Sequence, residues 1–113
     1  MLFLQPKRCA NVPLKAEKDP EKKAKDLAWA TAVKARDKAC IWCGSTSRLA
    51  ADHIFSRKVL STRWDTRNGL ALCCGCHLFR KRFEPFVWAL MVIDKIGMEL
   101  ARELQRLHTK QGG

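Results

Sequence analysis

Eight residues in the middle of the chain carry side chains of the kinds that hold metal ions and move protons, and their spacing groups them. Cys40 and Cys43 form one C-x-x-C unit, and Cys73 and Cys76 form a second. A two-residue spacer lets both sulfurs of a pair reach one ion from a tight turn. Two such pairs make a tetrahedral thiolate set for zinc. Bonds of that kind contribute folding free energy directly. Between the pairs lies Asp52-His53, Asn68 follows His53 by fifteen residues, and His77 adjoins Cys76. Taken singly, the last three have plain explanations: a packed or surface histidine, an Asn-Gly turn, a spectator beside a zinc cysteine.

The 29 residues between Cys43 and Cys73 exceed the ~15–20 of common zinc ribbons, so the intervening segment must carry structure of its own. A thioredoxin-like redox pair needs a β-α-β context that the sequence lacks. A zinc deaminase needs His-x-Glu, and His53-Ile54-Phe55 places Phe55 where the glutamate belongs. Cys74 adjoins the ligands but breaks their spacing, and reads as structural or incidental. Cys9 lies in the N-terminal arm and has no specific role.

The elements that must position these residues follow from local signals. Residues 1–18 carry Pro6, Pro13 and scattered charges and read as a flexible basic arm. From Asp19, a plausible N-cap, and Pro20, suited to a first helical position, the pattern is helical. Ala24, Ala28, Ala32 and Ala35 form one row at helical spacing, with Trp29 and Val33 beside it, and the small side chains suggest close packing. The turn formers of Cys43–Ser47 break the helix. Arg48–Ile54 reads as a short strand, Ser56–Gly69 as a long loop, and Leu70–Cys73 as a second strand. A helix starts near Cys76 and runs toward Phe83. Pro85 opens another through Phe86, Leu90 and Ile93, ended by Gly97. Leu100, Leu104 and Leu107 form the stripe of a last helix.

At 113 residues the chain suits one domain, whose modest core a metal staple would help. Lys and Arg number 22 against 11 acidic residues, giving a net charge of +11. An excess that large favours a polyanion, nucleic acid ahead of an anionic membrane surface. No segment approaches the ~20 apolar residues of a membrane span. The start, MLFLQPKR, does not read as a signal peptide. A cytoplasmic protein is expected, with cysteines that bind metal rather than form disulfides.

In combination, CIWC, ADHI, RNGLALC and CGCH resemble the HNH nuclease family, over about Cys40–Phe83. The flanking helices resemble those of small phage and prophage members. The resemblance implies an α+β, mostly helical fold. Its ββα-metal core would carry a four-cysteine zinc site, with an N-terminal helix and two C-terminal helices around it, in a single domain over residues 19–113. It implies a metal-dependent endonuclease that hydrolyses DNA phosphodiester bonds, a monomer nicking one strand. His53 would be the general base, Asp52 and His77 the ligands of a catalytic Mg²⁺ or Mn²⁺, and Asn68 would orient the base or its loop, or ligate the metal. Arg57, Lys58, Arg63, Arg67, Arg80 and Lys81 crowd this segment as candidate phosphate contacts. Trp64 could stack on a base, but more readily anchors its loop, and Trp42 would lie over the zinc. Some relatives have a further histidine one turn after the final motif histidine. Here Lys81 stands four residues after His77, which favours a loosely held hard cation. The rival reading is a non-catalytic, zinc-stapled DNA-binding module. Other phage or host proteins are possible partners.

Overall fold

The computed structural model describes residues 17–112, with side chains described to residue 109. The arm expected over residues 1–18, Cys9 included, lies almost wholly outside them. Helix α1 (Pro20–Asp37) begins as its sequence dictates. The Asp19 carboxylate accepts hydrogen bonds from the N–H groups of Glu21 (2.9 Å) and Lys22 (3.4 Å), and Pro20 opens the first turn. Lys38, left-handed at φ 65°, ends the helix. The face turned to the core is Trp29 and Val33, not the alanine row: Ala24, Ala28, Ala32 and Ala35 are all exposed. The close approach is made by a glycine on the other side of the contact. A Cβ at Gly69 would sit 2.4 Å from Trp29 Cζ2 and 2.9 Å from Val33 Cγ2.

Strand β1 (Leu49–His53) pairs antiparallel with β2 (Gly69–Cys73), in a register that sets His53 opposite Gly69 and Asp52 opposite Leu70. Side chains alternate along a strand, so His53 and Gly69 share the face toward α1, while Asp52, Leu70 and Leu72 share the other. The free edge of β2 is sealed by α1 and the turn behind it. Arg36 donates to the carbonyls of Gly69 (2.6 Å) and Thr66 (2.8 Å). Asp37 accepts from Ala71 N–H (2.9 Å), and Ile41 N–H donates to the Ala71 carbonyl (3.0 Å).

The expected long loop between the strands is instead folded, with a one-turn helix α2 (Leu60–Arg63) and a 3-10 turn (Thr66–Asn68). The chain then winds as a wide π turn (Cys76–Arg80) into α3 (Lys81–Phe83), followed by α4 (Pro85–Ile96) and α5 (Met98–Gly112). Leu72 packs with Cys40 and Cys76, and Ile41, Trp42, Leu49 and Trp88 close around them. In α4 the buried residue is Val92, whereas Phe86 and Leu90 are exposed. Leu104 is fully buried in α5. The fold is thus α+β and mostly helical, with one two-stranded sheet among the described residues. No described helix is long and apolar enough to cross a membrane.

Candidate metal centre and active site

The two C-x-x-C units come from separate places. Cys40 and Cys43 lie on the turn after α1, Cys73 ends β2, and Cys76 starts the π turn. All four sulfurs lie within 4.8 Å of one another, and those of Cys43 and Cys73 are 3.5 Å apart. A tetrahedral ion with bonds near 2.3 Å sets its sulfurs about 3.8 Å apart, so the cluster can hold a metal such as zinc. Gly44, at φ 83°, turns the chain directly after Cys43. Burial pushes the Cys76 thiol well above its ordinary value, and the sulfurs of Cys73 and Cys40 add to this. Burial raises Cys40 too, but N–H groups of Cys43, Cys73 and Trp42 outweigh it and bring that thiol to about 7. Four sulfurs this close cannot all ionise without a cation among them. Cys74 is not part of the cluster. Trp42 packs against the cysteines, tilted on Trp88 at 5.7 Å, with the Arg80 guanidinium 4.3 Å over its ring.

On the sheet face toward the π turn, the buried Asp52 carboxylate meets two residues of the helical segment. His77 Nε2 is 3.1 Å from Oδ1, and Lys81 Nζ is 2.6 Å from Oδ2. Burial pushes Asp52 up, but the His77 contact and the Lys81 charge outweigh it, so the carboxyl titrates below its ordinary value. Two ligand atoms about 2.1 Å from one ion, at right angles, are about 3 Å apart. The Asp52–His77 pair therefore fits two adjacent positions on a divalent cation, with the other positions left to water or phosphate oxygens. The pair offers two donors only: the four cysteines are the one set of three or more metal-ligating side chains gathered among the described residues.

His53 ends β1 next to Asp52, with its side chain on the opposite face of the sheet, toward α1. Its Nε2 is 2.8 Å from the Arg63 carbonyl oxygen. A carbonyl can only accept, so Nε2 carries the proton, and in the neutral ring Nδ1 holds the lone pair. Burial holds this imidazole below its ordinary value, which favours that neutral form. Trp29 lies flat on the ring, centroids 3.9 Å apart at 7°.

Asn68 is fully buried, and its amide is engaged with the backbone. Oδ1 accepts from Phe55 N–H (2.8 Å), and Nδ2 donates to the carbonyls of Phe55 (3.1 Å) and Thr62 (3.0 Å). It ties down the segment that carries the Arg63 carbonyl.

The basic residues divide sharply. Arg63, expected as a phosphate contact, is buried and donates to Asp26 (2.9 and 2.7 Å) and Glu17 (2.7 Å). Arg57 joins the same cluster through Asp26 (2.9 Å). Trp64 donates to Asp26 (2.8 Å), which makes it an anchor of its loop on α1. Lys58 is exposed, while Arg67 is largely exposed and paired to Asp65 (2.6 Å). Arg80 faces Trp42 and Glu84 (3.6 Å), and Lys81 is on Asp52. Two contributors escaped the sequence reading, Asp26 and the stacking role of Trp29. The available signal was an acidic residue three positions before a core tryptophan, on the same helical face.

Comparison with family models, with curated proteins and with solved structures finds no match.

Proposed function

We infer that this protein is a metal-dependent endonuclease of the HNH class that hydrolyses DNA phosphodiester bonds, with the two strands and the π turn–α3 segment as its ββα-metal core. One observation carries the reading. Asp52 and His77 are 3.1 Å apart, on the strand end where His53 is held through Nε2 by a backbone carbonyl. In this reading Asp52 and His77 hold Mg²⁺ or Mn²⁺, and Cys40, Cys43, Cys73 and Cys76 hold zinc. The divalent ion, when bound, supplies Lewis-acid stabilisation of charge growing on the phosphate and the leaving 3′ oxygen. His53 takes a proton from water at Nδ1 as the water oxygen bonds to phosphorus. The 3′ oxygen leaves and is protonated from solvent, giving a 5′-phosphate. The Arg63 carbonyl and Trp29 keep the imidazole in place through that transfer. Lys58, Arg67 and Arg80 are the side chains available to phosphates, and a monomer with one such site nicks.

The second reading, a zinc-stapled DNA-binding module without activity, draws on one contact. Lys81 already neutralises Asp52, which lessens its need for a cation. Plasmid nicking across Mg²⁺, Mn²⁺, Ni²⁺ and Zn²⁺ separates the two. The nuclease converts supercoiled to open-circular DNA, and His53→Ala and His77→Ala each lower the rate by about a hundredfold or more while zinc content is kept. Supercoiled DNA left intact under every ion, but retarded on a gel by the protein, supports the binding module.

A further inference from the structure

We propose that Lys81 is a resident counter-ion of Asp52, which a divalent cation must displace, so that ion loading releases an ammonium group at the phosphate-binding edge of the site. The proposal rests on the metal-site reading above. A buried carboxylate requires a partner of opposite charge. Here that partner is Lys81 Nζ, 2.6 Å from Oδ2, while His77 meets Oδ1 of the same group. The grip comes from the winding of the chain. Lys81 N–H bonds to the Cys76 carbonyl across the wide π turn, and residues 77 and 81, about one turn apart, reach one carboxylate from one side. The ammonium also lies 4.9 Å over the Trp88 ring, whose π face favours a cation there.

A divalent ion on Asp52 and an ammonium 2.6 Å from the same carboxylate repel each other in a poorly screened place. One must leave. The Lys81 side chain is about a third exposed, on a flexible stem, so it can swing toward solvent, whereas Asp52 cannot. Two consequences follow. The site binds its ion weakly in the absence of nucleic acid, because binding includes the cost of breaking the Asp52–Lys81 pair. The displaced ammonium then stands beside the ion, free to meet a phosphate oxygen.

The test is Mn²⁺ binding to the zinc-loaded full chain, by calorimetry and by the Mn²⁺ electron paramagnetic resonance signal, without DNA. Mn²⁺ is a hard ion that leaves the thiolate site to zinc. Lys81→Met and Lys81→Gln should each bind Mn²⁺ about tenfold or more tightly than the parent chain. Mn²⁺ should also raise their melting temperatures more than the parent's, since both leave Asp52 without its counter-ion. Adding His77→Ala should abolish the gain. A His77-dependent site of unchanged affinity in both variants overturns the competition and leaves the nuclease reading standing. No His77-dependent Mn²⁺ site in either variant overturns the proposal together with the metal site beneath it.

Discussion

Trp29 and His53 lie face to face, with ring centroids 3.9 Å apart and planes 7° from parallel. The stack is possible because Gly69, opposite His53 in the sheet register, has no side chain to keep the indole away. Trp29 Nε1 in turn donates to the Asp65 carbonyl at 2.8 Å, fixing the ring from its far edge. A residue on the first helix thus holds the imidazole on one face while the Arg63 carbonyl holds its edge.

Gly69→Ala should show the tightness of this contact. An added Cβ would meet Trp29 Cζ2 at 2.4 Å, and the indole is too enclosed to yield freely. The expected loss is about 1–3 kcal/mol in urea unfolding, as for other overpacked cores. Nicking should fall further than stability alone explains, because the ring that yields is the one on His53. Unchanged unfolding would refute the close packing.

Trp29→Phe keeps a ring over His53 and loses the bond to the Asp65 carbonyl together with part of the buried indole. A buried hydrogen bond of this kind contributes about 1 kcal/mol. The variant should fold with nearly full activity, whereas Trp29→Leu, with no ring to stack, should lower the nicking rate at equal zinc content. Equal rates in both would remove the stack from the account of the site.

Asp26→Asn tests the cluster behind the site. It weakens the pairing of Arg63, which is almost fully buried, and should cost about 3 kcal/mol near neutral pH. The Arg63 hydrogen bonds hold the Asp26 carboxyl below its ordinary value of 3.8. A depressed carboxyl gives stability that is present above the unfolded value and lost as pH falls through the lower folded one. Stabilities of the parent chain and Asp26→Asn should therefore differ most above the unfolded value of 3.8 and converge as pH falls through the lower folded one. A constant gap across that range would show that the charge of Asp26 is not what stabilises the cluster.

Keeping metal out of the four-cysteine cluster should unfold the domain. Cys40 and Cys76 are both core residues, packed with Leu72, so empty thiols leave a buried polar hole on the sheet face away from α1. Chelation, or Cys76→Ser, should abolish the cooperative melt seen by circular dichroism, and zinc should restore it to the chelated parent chain. A cooperative melt that survives metal removal would make the cluster dispensable for folding.

Substitutions of the basic residues should separate into two kinds. Arg80→Ala and Lys58→Ala should weaken DNA binding and flatten its dependence on salt, by about one unit of slope each, with little loss of stability. Arg63→Met should do the reverse, because its guanidinium is directed at Asp26 and Glu17. An Arg63 variant that folds normally but has a reduced salt slope would place that residue back at the DNA.

Much of this was legible in the chain because the relevant physics is local. Asp19-Pro20 caps and opens α1, Gly97 ends α4, and each C-x-x-C is a turn that brings two sulfurs together whatever surrounds it. The order of the elements and the thiolate set follow from such short-range rules. The sequence could not determine which face of α1 turns inward, because the small alanines fit a contact that Gly69 makes instead. Nor could it sort the arginines, since a charge in a basic loop reads as solvent-facing until a carboxylate on another element claims it. The partners that shape the candidate site are distant in sequence: Asp26 from Arg63, Trp29 from His53, Asp52 from Lys81. Contacts of that range are set by how helix and sheet pack, and no window of neighbouring residues contains them.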